Sequence, residues 1–234
     1  MALDHQLDEE QLALVEAVRE FTHEVVAPVS ARHDREHSFP YEVIAQMGEM
    51  GLFGLPFPEE YGGQGGDYFA LCLALEELAT VDQSVAITLE AGVSLGAMPI
   101  FRYGTQEQRQ RWLPALTSGE ALAGFGLTES GAGSDASGTR TKATRTDQGW
   151  LLNGAKEFIT NSGTDITSLI TVTAVSGEKE DGKKEISTFL VPADTPGFTA
   201  EPAYDKVGWN ASDTHPVTLK DVRLPEDSLL GEPG

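Results

Sequence analysis

The hydrophobic pattern changes its period once along the chain, near Gly119. Before this point apolar residues recur every three to four positions, which is the spacing of amphipathic helices. From about residue 121 onward, short runs rich in Thr, Val, Ile and Phe alternate with Gly, Asn and Asp turns, which is typical of strands. Helices followed by strands predict an α+β chain, with an all-helical N-terminal domain over residues 1–119 and a mainly antiparallel, barrel-like β-domain over residues 120–234.

Start and stop signals delimit two of the predicted helices. Asp8 and Gln11 have the spacing of a capping box, and the helix that they open should end before Pro28, because proline has no N–H to donate. Asp82 should cap a later helix that is apolar on most of its faces and ends in a turn at Pro99. That helix is therefore expected to be deeply buried.

Turn signals divide the second half of the chain. Residues 147–149 (Asp-Gln-Gly) and 153–154 (Asn-Gly) predict hairpin turns. Residues 177–184, GEKEDGKK, predict a solvated loop because they are charged and contain two glycines.

Charge and composition exclude several classes of function. The net charge is -21, from 37 acidic and 16 basic residues, which argues against nucleic acids and anionic membranes as partners. No apolar run approaches the length of a membrane span, and the acidic N-terminus has neither a signal-peptide core nor an Arg-rich transit pattern. A cytoplasmic location is expected.

Cysteine and histidine usage points away from disulfides and metal sites. Cys72 is the single cysteine, so no intrachain disulfide can form, and its helical context predicts a small buried side chain. The histidines, at positions 5, 23, 33, 37 and 215, do not have metal-ligand spacings. We expect no metal.

The stretch at 125–135, FGLTESGAGSD, combines a short apolar run with a small polar loop. Gly131 and Gly133 allow a backbone to approach a ligand, and successive N–H groups in such a loop can face an anion. This arrangement suits a ligand that has a flat polar ring at one end and phosphates at the other. Taken alone, however, the stretch is better explained as a Gly/Ser turn between strands.

A second informative stretch is WLLNGAKEFITN, at 150–161. Its Asn-Gly turn should fold Phe158 and Thr160 back toward the strand at 125, where they would offer an aromatic face and a hydroxyl donor. By itself this segment indicates no more than a β-hairpin.

Five blocks together resemble the acyl-CoA dehydrogenase family, in the family's order and across essentially the whole chain. They are PEEYGGQGG at 58–66, GTQEQRQRWLPALTSGE at 104–120, GLTESGAGSD at 126–135, LLNGAKEFITN at 151–161 and DKVGWNASDTHPVTLKDVRLPEDSLLGEPG at 205–234. The resemblance implies an N-terminal helical domain and a middle β-domain, with the family's C-terminal four-helix domain following after Gly234. Ser130 and Phe158 depart from the proline and tryptophan that are frequent at these positions, which leaves the fine tuning of a flavin open.

The resemblance also implies a cofactor and a reaction. The family removes the α-proton of an acyl-CoA and transfers a β-hydride to N5 of FAD, producing a trans-2-enoyl-CoA. Carried over by motif, the expected FAD-binding residues are Phe125, Gly126, Leu127, Thr128, Glu129, Ser130, Gly131, Ala132, Gly133, Ser134, Phe158, Ile159 and Thr160. The expected acyl-CoA-binding residues are Ser134, Ile87, Glu90, Ala91 and Ser94. The hydrophobic pattern leaves open whether Glu90 faces solvent or the pocket.

The family's catalytic base is a carboxylate of the C-terminal domain, so no catalytic residue is expected within this chain, and the chain alone should be inactive. An electron-transfer flavoprotein is the expected electron acceptor, and a dimer or tetramer the expected assembly. Three alternatives remain open: an acyl-CoA oxidase or flavin monooxygenase relative, a non-catalytic module that binds FAD or acyl-CoA, and a plain structural β-domain protein.

Overall fold

A computed structural model describes residues 7–234, so His5 and the first residues of the acidic N-terminus lie outside the described part of the chain. The α-helices are α1 (Glu9–Phe21), α2 (Ala27–Glu36), α3 (Tyr41–Glu49), α4 (Tyr68–Ala79), α5 (Gln83–Glu90), α6 (Met98–Tyr103) and α7 (Gln106–Thr117). The strands are β1 (Leu122–Gly126), β2 (Lys142–Thr146), β3 (Gly149–Thr160), β4 (Thr167–Glu178), β5 (Lys184–Pro192), β6 (Phe198–Ala200), β7 (Thr214–Leu224) and β8 (Leu229–Leu230). Helices precede strands throughout, which confirms the predicted α+β class.

The helix opened by Asp8 does not end before Pro28, so that prediction is wrong. The capping box of Asp8 and Gln11 is present, but α1 continues through a π-helical turn, Thr22–Val26, into α2, whose first turn contains Pro28. A π turn already departs from the regular i→i−4 hydrogen bonds, so the missing proline N–H removes little there.

The helix capped by Asp82 also continues beyond its predicted end. The Asp82 carboxylate accepts hydrogen bonds from the Ser84 and Val85 N–H groups, at 2.8 and 3.3 Å. The helix then passes through a π segment, Ala91–Ala97, into α6, which has Pro99 in its first turn.

The continuous helix over 83–103 is 21 residues long and contains an 18-residue stretch with a mean hydropathy of 1.5, so an apolar stretch of membrane-spanning length does exist, contrary to expectation. The protein buries 67% of this stretch, as expected for a central core helix.

One eight-stranded sheet makes up the second half of the chain. Its strand order is β6-β7-β3-β2-β4-β5-β8, and β1 pairs separately with β4. The β1–β4 pair and a single β2–β4 pairing are parallel, and the other pairs are antiparallel. The predicted turn at 147–149 joins the antiparallel strands β2 and β3, and the charged loop at 177–184 contains the exposed turn between β4 and β5.

The hairpin turn predicted at 153–154 is wrong, because β3 runs through it as one strand. Gly154 has φ +157° and lies at a register shift between β3 and β7. A Cβ at this glycine would lie 2.5 Å from the Thr141 hydroxyl oxygen. The glycine therefore admits a close neighbour within a strand, and Phe158 reaches the site along β3 rather than by a reversal of the chain.

Strand β1 belongs to the helical core as well as to the sheet. Leu122 and Ala123 of β1, with Leu169 and Leu190 from β4 and β5, are buried in one apolar cluster with the helices. A second cluster, centred on residues such as Trp150, lies within the sheet. Because β1 is packed from both sides, it gives the loop that follows it a rigid starting point.

Cys72 is exposed, so the predicted burial of its side chain is wrong. Helix α4 packs against α1 and α5 through other positions, including Leu71, Ala74 and Leu78. An apolar pattern on most faces of a helix does not by itself say which face is covered.

Candidate functional site

The two stretches singled out in the sequence lie side by side. The Glu157 N–H donates a hydrogen bond of 2.8 Å to the Thr128 carbonyl oxygen. A Cβ at Gly124 would lie only 2.5 Å from the Thr160 carbonyl oxygen, so β1 and the end of β3 are in close backbone contact. The strand-and-loop at 125–134 and the segment at 158–160 therefore form one surface.

The glycine-containing loop is open to solvent on one side. Glu129 and Ala132 close its base by exchanging two backbone hydrogen bonds of 3.0 Å. Beyond that base Gly131, Gly133 and Ser134 are exposed, and a Cβ at Gly133 would contact nothing within 4 Å. The loop thus leaves room for a ligand to reach its backbone, which fits an anionic group.

The Glu129 carboxylate points into the protein and is fully engaged there. It accepts hydrogen bonds from Lys156 Nζ at 2.8 Å, from the Arg140 N–H at 2.7 Å and from the Thr141 N–H at 3.0 Å. Lys156 is completely buried, and its Nζ also donates to the Leu127 carbonyl oxygen at 3.1 Å. Of the predicted FAD-binding residues, Glu129 can thus offer only backbone groups to a ligand.

Burial and hydrogen bonding act in opposite directions on this ion pair. Burial raises the pKa of Glu129, but hydrogen bonds from Lys156, Thr141 and Arg140 outweigh it and bring the pKa down to about 2. Burial lowers the pKa of Lys156 and outweighs the contact with Glu129, which raises it. The pair holds the start of the loop onto β3.

Acid should therefore destabilise the protein through Glu129. The pKa of this carboxyl is about 2 in the folded protein against an ordinary 4.5, so its stabilising contribution is complete above pH 4.5 and is lost as the pH falls toward 2. We expect a loss of about 2 kcal/mol from this group between pH 6 and pH 3. Urea unfolding at both pH values measures it.

Glu129→Gln is the control for this acid effect, since it cannot titrate. The variant should be less stable at pH 6 and should lose correspondingly less than the wild-type protein at pH 3. Equal losses in the two proteins would assign the acid sensitivity to other carboxylates.

Phe158 presents an aromatic face at the end of β3. Its side chain is 64% exposed and stacks on Tyr204, with ring centroids 4.9 Å apart and an angle of 27° between the rings. The Tyr204 hydroxyl donates to the Glu157 carboxylate and accepts from the Phe158 N–H at 3.4 Å. Phe158 has φ +61°, an uncommon conformation for an aromatic residue, and these contacts hold it there.

Two hydroxyl groups, on residues close to Phe158 along the backbone of these segments, are available to a ligand. Thr128 and Thr160 are half-buried, and within residues 7–234 neither hydroxyl has a hydrogen-bond partner. Ile159, between Phe158 and Thr160, is buried in the sheet core, so only its backbone can take part. An exposed ring and two hydroxyls without protein partners, on two segments in backbone contact, fit a flat, polar ligand such as a flavin.

The other predicted FAD-binding residues differ in their surroundings. The Phe125 side chain lines a cavity of about 340 Å³ together with Tyr103 and Ser187. Gly126 is buried against Lys156, whereas Leu127 and Ser130 are exposed.

The predicted acyl wall lies on the helix over 83–103. Ala91 is buried, whereas Ile87, Glu90 and Ser94 are half-buried. Ser94 is hydrogen-bonded to Tyr68 of α4, and burial raises the pKa of Tyr68, with the nearby Glu90 charge adding to the shift. Glu90 is thus neither fully solvated nor enclosed.

Sequence reasoning missed Lys156 and Tyr204. A lysine in a strand of mixed polarity is ordinarily read as solvated, and Tyr204 lies far from the motif that it supports. The available signal was the opposite charge of Glu129 and Lys156 in two neighbouring blocks.

A helical region, a β-sheet and an open glycine-containing loop next to an aromatic strand end together fit a ligand-binding protein, and comparison with known proteins identifies its family. The N-terminal domain model of the acyl-CoA dehydrogenases matches residues 8–120, and the middle-domain model matches residues 124–222. The chain belongs to the acyl-CoA dehydrogenase family.

Relatives match along almost the whole chain. The probable acyl-CoA dehydrogenase YngJ of Bacillus subtilis (strain 168) is 46% identical over 231 residues, covering 99% of this chain and 60% of that protein. The mitochondrial short-chain specific acyl-CoA dehydrogenase of Mus musculus is 39% identical, covering 98% of this chain and 55% of that protein. The chain therefore spans a little over half the length of these relatives.

Solved structures share the fold. Butyryl-CoA dehydrogenase from Megasphaera elsdenii has a TM-score of 0.92 at 39% identity, covering 99% of this chain and 61% of that one. An acyl-CoA dehydrogenase from Bacillus anthracis complexed with FAD has a TM-score of 0.86 at 34% identity, covering 97% of this chain and 39% of that one. A structure described as an electron transferring flavoprotein of Acidaminococcus fermentans has a TM-score of 0.92 at 39% identity, covering 99% of this chain and 60% of that one.

Proposed function

We propose that this chain is the FAD-binding and acyl-CoA-binding portion of an FAD-dependent acyl-CoA dehydrogenase. The observation that carries the proposal is the direct backbone contact between the loop after β1 and the end of β3. It joins the exposed Phe158 to Thr128 and Thr160, whose hydroxyls have no hydrogen-bond partner among residues 7–234. Family membership and the FAD complex of a relative support it.

The residues of this chain would bind and orient the cofactor. Bound FAD supplies a hydride acceptor for the β-hydrogen of an acyl-CoA. Phe158 would cover one face of the ring, and the Thr128 and Thr160 hydroxyls would donate hydrogen bonds to its polar edge. Donors fixed before the reaction stabilise charge as it develops, because no reorganisation is needed. The open loop at 131–134 would receive the phosphates.

The substrate, the base and the electron acceptor complete the proposal. Ile87, Glu90, Ala91 and Ser94 would form one wall of the acyl pocket, and Ser134 would meet the CoA moiety. We assign α-proton removal to a carboxylate of the family's C-terminal helical domain and electron acceptance to an electron-transfer flavoprotein, as the A. fermentans relative suggests. The domain division at 119/120, a homo-oligomeric holoenzyme and a cytoplasmic location belong to the same proposal.

An FAD titration tests this function. The chain should quench the fluorescence of added FAD and remain yellow after gel filtration, and Phe158→Ala should weaken FAD binding about tenfold because aromatic contacts contribute roughly 1 kcal/mol or more. Butyryl-CoA should not bleach the bound flavin, because the base is assigned elsewhere.

Thr199→Val, an exposed position on β6 away from the site, is the matched control and should bind FAD as the wild-type protein does. A folded chain that leaves FAD fluorescence unchanged would contradict the proposal. Bleaching by butyryl-CoA at an enzymatic rate would place the base within these residues.

A further inference from the structure

Asn161 directly follows Thr160, the last residue of β3, and is completely buried. Its N–H donates to the Asp213 carbonyl oxygen at 3.2 Å, and its carbonyl oxygen accepts from the Thr167 hydroxyl at 2.9 Å. Its φ of +61° lies in the left-handed region, which asparagine tolerates better than most residues. The backbone of Asn161 is therefore held in one conformation.

The side chain of Asn161 reaches a different element. Its Nδ2 donates to the carbonyl oxygen of Thr88, in α5, at 3.2 Å. Thr88 lies shortly before the helix widens into the π segment Ala91–Ala97. Widened turns disturb the regular helical hydrogen bonds and occur often at functional sites. Asn161 thus supplies a tertiary partner to a carbonyl group at the start of an irregular helical stretch.

The other half of the same amide forms no hydrogen bond. Asn161 Oδ1 is buried, and among residues 7–234 it has no hydrogen-bond partner. Buried polar atoms are normally paired, since leaving one unpaired opposes folding. The Nδ2 bond to the helix is therefore formed at the cost of an unpaired, buried Oδ1, which points to a specific use of that bond.

Close backbone approaches bring the helix, β1 and the end of β3 into one unit. A Cβ at Gly96, in the π segment, would lie 2.7 Å from the carbonyl oxygen of Ala123 in β1. Gly124, the next residue, approaches the Thr160 carbonyl oxygen in the same way. Small displacements of the helix are therefore transmitted to the end of β3.

We propose that Asn161 is a positioning residue, which sets the place of the helix carrying Ile87 and Glu90 relative to Thr160. It couples the acyl wall to the segment beside the cofactor. That the ligands are an acyl-CoA and FAD rests on the proposed function. The structural link between the helix and the end of β3 does not depend on it.

Hydrogen exchange of the whole chain, followed by mass spectrometry, tests the coupling. Asn161→Asp keeps the size of the side chain and its tolerance of positive φ but replaces the donor with an acceptor. Asn161→Gly keeps the backbone conformation and removes the side chain. Asn153→Ala is the control, because it removes an exposed amide of β3 that bonds Asp221 and not the helix.

Both Asn161 variants should raise exchange at residues 88–97 at least tenfold, while residues 169–175 of β4 exchange as in the wild-type protein. Added FAD should slow exchange at 88–97 in the wild-type protein and in Asn153→Ala but not in either Asn161 variant. Unchanged exchange at 88–97, or an equal rise in every segment, would overturn the proposal. If the wild-type protein binds no FAD, the proposed function fails, while exchange without ligand still decides whether Asn161 positions the helix.

Discussion

Lys156→Met should lower the free energy of unfolding by about 3–5 kcal/mol, the range for a buried ion pair that loses one partner. The substitution leaves the Glu129 carboxylate, whose side chain is 9% exposed, without its cation. The methionine fills most of the space, so the loss comes from the uncompensated charge and not from a cavity. Urea unfolding at pH 7 measures the change.

The double variant Lys156→Met/Glu129→Gln separates charge from packing. It should be more stable than Lys156→Met alone, because no unpaired charge remains buried. Lys142→Met, at an exposed position of β2, should change stability by no more than about 0.5 kcal/mol. Strictly additive effects of the two single substitutions would show that the pair is not coupled.

Gly124→Val should destabilise the chain by roughly 1–3 kcal/mol through overpacking and should abolish FAD binding. The new Cβ would lie 2.5 Å from the Thr160 carbonyl oxygen and 3.0 Å from Ile170 Cδ1. Because the first of these atoms is backbone, β1 and β3 must separate, and the surface at 125–134 then parts from Phe158.

Gly208→Ala is the matched glycine control, since a Cβ there would meet nothing within 4 Å. It should unfold and bind FAD as the wild-type protein does. FAD affinity and unfolding midpoint are measured on the same samples. Normal FAD binding by Gly124→Val would show that the cofactor site does not need the close contact of the two segments.

Local signals in the sequence predicted the helix starts well. The capping box at Asp8 and the cap at Asp82 are both present, because the cap side chain and its N–H partners lie within three residues. Pro28 and Pro99 misled the prediction of helix ends. Each lies in the first turn of a new α-helical stretch, and a π turn before it keeps the axis continuous.

Asn-Gly at 153–154 shows a similar limit in the sheet. The dipeptide is a strong turn signal. Its glycine, however, makes room for the close approach of Thr141, a neighbour in space that is distant in the sequence. Local turn chemistry is overruled when tertiary packing needs a position without a side chain.

The sequence by itself determined the order of helices and strands, the family and the two segments of the candidate site, because periodicity, caps and motifs are encoded over short distances. Only the tertiary structure decided that Lys156 is buried beneath the glycine loop, that Tyr204 stacks on Phe158, and that Asn161 holds a helix 73 residues earlier in the chain. Each of these depends on pairs of residues far apart in the sequence. The energy of such a contact is set by burial and by partner geometry, and neither can be obtained from one residue's neighbours along the chain.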